Sequence, residues 1–213
     1  GDLDGVLLDL RRAMFTKPIS RMVLCGPPLT AVNGHAHFLG GVADGSDGLR
    51  AAVEEWIDAG VDFIKLIATG GGTPGTHPAH ASYTAANMSV ATETAHAHGI
   101  TVSAHCRGIP GIENAINANI DHIEHACFEL PDGTLHFEEP LAGKIAEAGI
   151  YITPTIQLYR DAKTFLEHKR ETSVLGISPR RGVSSIEAGL RASGVIPTWA
   201  RSASRRGEPL AST

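Results

Sequence analysis

A short connector recurs four times along the chain, and each copy joins a helical pattern to a strand-like one. The four copies are Ala59-Gly60-Val61, His98-Gly99-Ile100, Ala118-Asn119-Ile120 and Ala148-Gly149-Ile150. Glycine or asparagine suits the left-handed conformation that ends a helix, and the Val or Ile that follows favours a strand. Helices that alternate regularly with strands predict parallel strands joined by right-handed crossovers. The repeat therefore predicts an α/β protein, with either an open doubly wound sheet or a barrel.

The segments between the connectors are predicted from their hydrophobic periodicity. Residues 46–59, for example, carry apolar side chains three and four positions apart, with Ser46 or Asp47 available as the N-cap. The predicted helices are 3–14, 46–59, 84–98, 111–118 and 138–148, and the predicted strands are 21–25, 62–68, 101–105, 121–125 and 151–155.

Composition excludes several classes of protein. The 213 residues carry a net charge of −5, so the chain has no overall basic field for binding nucleic acid or an anionic membrane. No apolar run approaches the roughly 18 residues that a membrane span needs. Three widely spaced cysteines make no disulfide framework and fit a reducing compartment. We therefore expect a cytoplasmic protein without a nucleic-acid or membrane partner.

The charge changes sign near residue 177. Residues 1–177 have a net charge of −9, whereas residues 178–213 have a net charge of +4 and are rich in Ser, Arg, Gly and Pro. Such a composition favours loops and buries little apolar surface. We expect one domain over 1–177 and a basic tail of low order over 178–213.

Three reactive side chains stand near the ends of successive predicted strands. They are Lys65, His105 and His125, at five, six and six residues after the glycine or asparagine of the preceding connector. In both α/β architectures the functional groups collect at the carboxyl ends of the strands. Lys65 lies between Ile64 and Leu66 in a segment that reads as buried, so its charge must be neutralised. A metal-bridging carbamate, a Schiff base and an ion pair with a carboxylate all remain open.

Five segments resemble successive motifs of the amidohydrolase superfamily, in its imidazolonepropionase-like and prolidase-like branch. The segments are 34–45 (GHAHFLGGVADG), 63–71 (FIKLIATGG), 102–108 (VSAHCRG), 121–126 (DHIEHA) and 149–155 (GIYITPT). Each motif alone is modestly specific, but five in order at matching spacings form a strong signal, and the resemblance covers roughly residues 1–170.

The resemblance implies a (β/α)8 TIM barrel that is incomplete here, with strands three to seven present and a divergent C-terminal tail. It also implies a site for one or two divalent metals, usually zinc. Lys65 would be the carboxylated bridging ligand, and His105 and His125 would bind the second metal. A metal-activated hydroxide would then hydrolyse a carbon-nitrogen bond of a small or dipeptide-like substrate.

Two expected motifs have no counterpart in this sequence. Members of the family carry a His-x-His metal pair on the first strand and an aspartate at the end of the eighth, so we interpret the chain as an internal piece of such an enzyme. Two alternatives stay open: a non-catalytic remnant that binds metal weakly through His105 and His125, or a barrel enzyme that uses Lys65 in a Schiff base. A homo-oligomer is also left open.

Further residues near the predicted site receive other roles. His35 and His37 follow a proline-containing loop rather than an apolar strand, so a substrate-binding role is favoured over a metal pair. Arg107 follows His105 and is expected to bind a substrate carboxylate. Strand alternation predicts that His122 and Glu124 point away from the face of His125.

Overall fold

The computed structural model describes residues 1–14 and 20–155, which contain a four-stranded parallel sheet with the order β1-β2-β3-β4. Every strand pairs with its neighbour in the sequence. This order is that of consecutive strands in a barrel wall and confirms the α/β class. The predicted basic tail and the proposed domain boundary at 177 lie outside the described residues.

The helices and strands follow the predicted alternation closely. The helices are α1 (Val6–Ala13), α2 (Gly45–Asp58), α3 (Ala85–Ala97), α4 (Ile109–Asn117) and α5 (Glu139–Glu147), with a 3-10 turn at His37–Leu39; the strands are β1 (Phe63–Ile67), β2 (Thr101–Gly108), β3 (His122–Glu129) and β4 (Tyr151–Thr153).

The connectors end the helices as the sequence predicts. Gly60, Gly99, Asn119 and Gly149 have φ angles of 84°, 69°, 57° and 68°. Helix α3 begins after Thr84, whose hydroxyl accepts a hydrogen bond from the Asn87 N–H at 3.2 Å. Helix α2 instead begins after Asp44, whose carboxylate accepts from the N–H of Gly45. The short polar side chain nearest the first turn supplies the cap, ahead of the predicted Ser46 or Asp47.

The sheet is buried between two different environments. Alternate residues on β1 to β3 are completely buried and form one apolar cluster with α2, α3 and α4; its members include Ile64, Leu66, Val102, Ala104, Ile123, Val53, Met88 and Ile112. The other residues of the same strands carry the polar and charged side chains. One face of the sheet therefore stabilises the fold, and the opposite face, which lines the interior of a barrel, holds the reactive groups.

The predicted strand at 21–25 is wrong. Residues 20–26 form no regular strand, and the bridge to β1 comes only after them, where Leu29 pairs with Leu66 in a single parallel bridge. The apolar pattern at 21–25 is real, since Leu24 and Cys25 are buried. Prolines at 27 and 28 offer no N–H groups, however, and a regular ladder with β1 cannot extend through them.

Within the described residues, no helix has both the length and the apolar character to cross a membrane.

Candidate functional site at the carboxyl ends of the strands

Strand register places Lys65 and His105 on the same face of the sheet. Lys65 pairs with Ser103, and His105 pairs with Ile67. Residues two apart on a strand point to the same side, so Lys65, Ser103 and His105 all face the barrel interior. The lysine therefore lies two positions earlier in register than His105, rather than the one position that counting from the connectors predicts.

Glu124 neutralises Lys65. The lysine is 8% exposed, and its Nζ lies 2.5 Å from Glu124 Oε2. Burial lowers the pKa of Lys65, and the glutamate only partly offsets this shift. Burial acting alone would raise the pKa of Glu124, but the lysine charge outweighs it and the net shift is downward. Of the three states of Lys65 that the sequence leaves open, the structure contains the ion pair.

The prediction that Glu124 points away from the face of His125 is wrong, because the backbone does not keep a regular alternation there. His125 has a φ of 75° and Ala126 a φ of 47°, and the pairing between β2 and β3 shifts register at this point. As a result Glu124 reaches Lys65, while the neighbouring His125 ring reaches the ring of His105. Irregularities of this kind commonly redirect side chains beside functional sites.

His122 also lies on the interior face. Its Nδ1 is 2.8 Å from the Ser103 hydroxyl, and its Nε2 is 2.7 Å from the Thr153 hydroxyl. Its register partner is Ser103, in the same layer of the sheet as Lys65. The structural role expected for His122 fits these bonds, but the predicted direction of its side chain does not.

Three imidazole rings lie in a row at this edge. The centroids of His35 and His105 are 4.8 Å apart, and those of His105 and His125 are 4.6 Å apart. Burial lowers the pKa of His105 to about 2 and that of His125 to about 4, and the neighbouring positive groups add to the shift at His105. Burial also lowers the pKa of His35, with a further contribution from Arg107. All three rings are therefore neutral near pH 7, the protonation state in which imidazole binds metals.

The position of His35 is set by its contacts with the loop that follows β1. Its Nδ1 lies 2.8 Å from the Thr73 hydroxyl, which also accepts the Ala36 N–H at 3.0 Å. Gly71 packs directly on the ring, since a Cβ at that position would lie 2.6 Å from it. Which of His35 Nδ1 and the Thr73 hydroxyl donates to the other depends on the tautomer of the ring.

His37 is placed differently from His35. It begins the short 3-10 turn, its Nδ1 is 2.9 Å from the Gly34 carbonyl, and its ring packs edge-on against Phe38. Neither of these contacts involves the row of imidazoles, so the two histidines of this motif do not act as a matched pair in this structure.

Arg107 lies beyond His105 on β2 and forms an ion pair with Glu129. Arg107 Nη2 is 2.7 Å from Glu129 Oε2, and the two side chains are 16% and 5% exposed. Burial raises the pKa of Glu129, although the guanidinium opposes this shift. The residue expected to bind a substrate carboxylate therefore already contacts a carboxylate of the protein.

The donors at this edge fit a divalent metal in chemical type. Neutral imidazoles suit zinc and related ions, and a buried lysine with a lowered pKa is the form of the amine that can take up carbon dioxide. In the current arrangement His105 Nε2 is 3.1 Å from the Gly70 carbonyl, and Lys65 is paired with Glu124. No cluster of three or more His, Cys, Asp or Glu side chains within residues 1–14 and 20–155 is arranged to hold a metal ion. A bound metal would have to replace both contacts.

Comparison with known protein families identifies the family of this chain. Residues 9–197 match the model of the amidohydrolase family. The chain belongs to that family. The family is generally metal-dependent. No curated protein matches this chain.

Solved structures agree with the amidohydrolase fold. The structure of A. niger ochratoxinase is 22% identical, with a TM-score of 0.74 over 90% of this chain and 48% of that chain. A Xaa-Pro dipeptidase with bound methionine is 22% identical, with a TM-score of 0.70 over 91% of this chain and 50% of that chain. A prolidase complexed with N-methylphosphonate-L-proline is 23% identical, with a TM-score of 0.66 over 95% of this chain and 54% of that chain. The chain thus spans about half the length of these structures, which is consistent with an incomplete TIM barrel.

Three residues of this amidohydrolase edge were missed by sequence reasoning: Glu124, Glu129 and Thr73. Glu124 was assigned to the wrong face, and the others were not considered. The need for a partner to Lys65 was a usable signal for an acidic residue nearby, but its identity depended on the bend at His125. Glu129 lies seven residues after its strand begins, beyond the predicted end at 125.

Proposed function

We propose that this chain forms the part of a metal-dependent hydrolase that holds one divalent ion and cleaves a carbon-nitrogen bond of a small, dipeptide-like substrate. Lys65, His105 and His125 are the proposed ligands, and zinc is the proposed ion. The observation that carries the proposal is the convergence of a buried lysine and two neutral imidazoles at one edge of the sheet. The dipeptidase and prolidase among the structural neighbours support the class of substrate.

A metal held by these residues would supply Lewis-acid chemistry and would acidify water. The protein groups have separate tasks. The His35 ring is held between Gly71 and His105, and in the tautomer that carries its hydrogen on Nε2 it would donate a hydrogen bond to a substrate carbonyl oxygen. Glu124 would release Lys65 when the lysine becomes a ligand, and its carboxylate would then be available to accept a proton. His37 is retained as a more distant substrate contact.

A second candidate is a remnant of the barrel that binds metal weakly without catalysis. The contacts of His105 with Gly70 and of Lys65 with Glu124 favour it, because each must be broken before the metal is bound. The two candidates differ in turnover rather than in ligand identity.

Metal content and turnover test both candidates. The purified chain is loaded with zinc, desalted and measured by mass spectrometry of the metal, together with His105→Ala, His125→Ala and Lys65→Ala. The control is His98→Ala, since His98 is exposed just after α3. We expect about one zinc per chain in the parent and the control, and a clear loss in the three ligand variants.

Other outcomes would change the assignment. Equal zinc in the parent and the three ligand variants would refute the ligand set. If the chain binds two metals and hydrolyses a dipeptide, and His105→Ala abolishes this turnover, then His35 and His37 would be assigned as additional metal ligands. Metal binding without turnover would favour the remnant. Trapping of a carbonyl substrate on Lys65 by borohydride, in protein free of metal, would favour the Schiff-base alternative instead.

A further inference from the structure

The Arg107–Glu129 ion pair is a second polar cluster at the carboxyl edge, separate from the proposed metal ligands. Its atoms Nη2 and Oε2 are 2.7 Å apart, and the glutamate side chain is only 5% exposed. Removing two charges from water costs free energy that a single contact often fails to recover. A buried pair at the open end of the strands, rather than in the apolar layer, therefore suggests a task other than stability.

The pair lies next to the reacting groups and farther toward the open edge. Arg107 follows His105 by two residues on β2, so both side chains point to the barrel interior, about 6.6 Å apart along the strand. The charge of Arg107 is close enough to help lower the pKa of both His35 and His125. A group that is bound at the histidines and extends toward the edge would meet the guanidinium next.

The backbone under Arg107 is held on both sides. Its N–H donates to the Thr69 hydroxyl at 3.1 Å, and at Gly108 a Cβ would lie 2.4 Å from the Ala79 Cα, so the chain packs there without space for a side chain. Glu129 is also on a fixed element, since it pairs with Gly108 in the sheet and bridges to Leu135. The base of each side chain is therefore rigid, and the ion pair holds the guanidinium beside the Glu129 carboxylate.

We propose that Glu129 is a positioning residue that holds Arg107 so that the guanidinium binds the terminal carboxylate of the substrate. The ligand class is a dipeptide or N-acyl amino acid with a free carboxylate. A guanidinium is planar and carries five N–H donors, and that of Arg107 has its Nη2 atom 2.7 Å from Glu129 Oε2. A fixed plane loses less conformational entropy when a second carboxylate binds. For the identity of the cleaved bond, this inference rests on the proposed function. The binding of the carboxylate does not depend on it.

Paired probes test this subsite by binding alone. N-acetyl-L-proline and N-acetyl-L-prolinamide differ only in the carboxylate, and their dissociation constants are measured by NMR titration of the full 213-residue chain. We expect the acid to bind at least about tenfold more tightly than the amide, the range given by hydrogen bonds to a charged group. Arg107→Met should abolish this ratio. Glu129→Ala should reduce it to below about threefold, and Glu129→Gln, which retains an acceptor, should restore most of it.

The control is Glu113→Ala, which removes an exposed glutamate from α4 and should leave the ratio unchanged. A ratio near one in the parent, or an unchanged ratio in Glu129→Ala, would overturn the inference even if that variant were less stable. Should Glu129→Ala not fold, Glu129→Asp takes its place: it withdraws the carboxylate by one methylene, and an unchanged ratio would again refute the role.

Zinc content is measured in the same samples, so that the two proposals fail separately. Loss of zinc in the ligand variants with no acid-to-amide ratio in the parent contradicts only the subsite. A ratio that depends on Arg107 and Glu129 in a chain that binds no zinc contradicts only the metal site.

Discussion

The two ends of the sheet use charged side chains in opposite ways. At the amino end, Asp121 Oδ2 accepts the Val102 N–H at 2.7 Å and lies 2.8 Å from His96 Nε2. Asp62 repeats this arrangement, with the Leu24 N–H at 2.7 Å and the Arg11 guanidinium at 2.6 Å. In each case one aspartate accepts a hydrogen bond from a backbone N–H of a neighbouring segment and contacts a basic side chain of a helix, His96 of α3 or Arg11 of α1.

At the carboxyl end the charges are more deeply buried and less well satisfied. Lys65 is 8% exposed and has Glu124 as its counter-ion, and His105 and His125 remain neutral because burial disfavours their charged forms. The amino end is therefore expected to stabilise the fold, whereas the carboxyl end accepts a cost in stability to keep reactive groups available. Four predictions test this difference, from the largest expected effect to the smallest.

Asp121→Ala should lower the free energy of unfolding by about 3 kcal/mol, because it removes acceptors from a backbone N–H and from His96 in a partly buried position. Urea denaturation gives the value. Asp121→Asn keeps an acceptor and should lose about half as much. Zinc binding by the folded fraction should stay unchanged, and a loss below about 0.5 kcal/mol would contradict the stabilising role of the amino end.

Acidification should destabilise the metal-free chain through the carboxyl end. The unfolded chain protonates histidine below about pH 6.5, whereas the folded chain keeps His125 neutral to about pH 4 and His105 to about pH 2. The unfolded state then binds more protons, so stability is greatest above pH 6.5 and falls as the pH drops toward 4. The two residues together should account for up to about 2 kcal/mol between pH 6 and pH 5.

Urea titrations at pH 7, 6 and 5 measure this slope. His125→Asn should remove about half of the part of the slope that His105 and His125 contribute, and the exposed His98→Asn should leave the slope unchanged. An identical slope in all three proteins would show that the carboxyl-end histidines do not resist protonation in the folded state.

Replacing the ion pair at the carboxyl end should stabilise the chain modestly. The double variant Lys65→Met and Glu124→Gln removes a desolvated charge and its counter-ion from the interior, and we expect about 1 kcal/mol of added stability with loss of zinc binding. Thermal and urea unfolding, combined with metal analysis, check both parts. A loss of stability would indicate that this pair supports the fold, as Asp121 does.

Gly143→Ala provides a reference distant from the proposed ligands. Gly143 lies in α5, and an added Cβ meets no atom within 4 Å. Alanine should raise the free energy of unfolding by about 0.5 kcal/mol by restricting the unfolded chain. Zinc binding and the pH slope should match the parent, so any difference in either would reveal coupling between the helical layer and the carboxyl end.

Sequence patterns predicted the sheet well where a local rule was sufficient. The connector glycines and the asparagine fixed the helix ends, because a left-handed residue stops a helix wherever it stands. The same logic failed at 21–25, where apolar residues suggested a strand but the prolines at 27 and 28 deny a regular ladder to the neighbouring segment. The apolar pattern there correctly indicated buried side chains, but it did not show whether the backbone forms the hydrogen bonds of a strand.

The candidate site shows the same division. Counting from the connectors correctly placed Lys65 and His105 near the ends of neighbouring strands. Strand alternation explains why they share a face, since a period of two follows from the covalent chain. It failed for Glu124, because the left-handed backbone at His125 lets two successive residues reach the same side. Glu129 was missed because β3 continues beyond its predicted end.

By itself, then, the sequence determined the alternation of helices and strands, the parallel sheet and the collection of Lys65, His105 and His125 at one edge, because helix caps and strand periodicity are local properties. Tertiary structure decided which carboxylate faces each cation and which imidazole touches which. Glu124 is distant from Lys65 in the chain, Glu129 is distant from Arg107, and His35 is distant from His105. These partners depend on register shifts and on glycine contacts such as Gly71 against His35, which arise only when separate segments pack together.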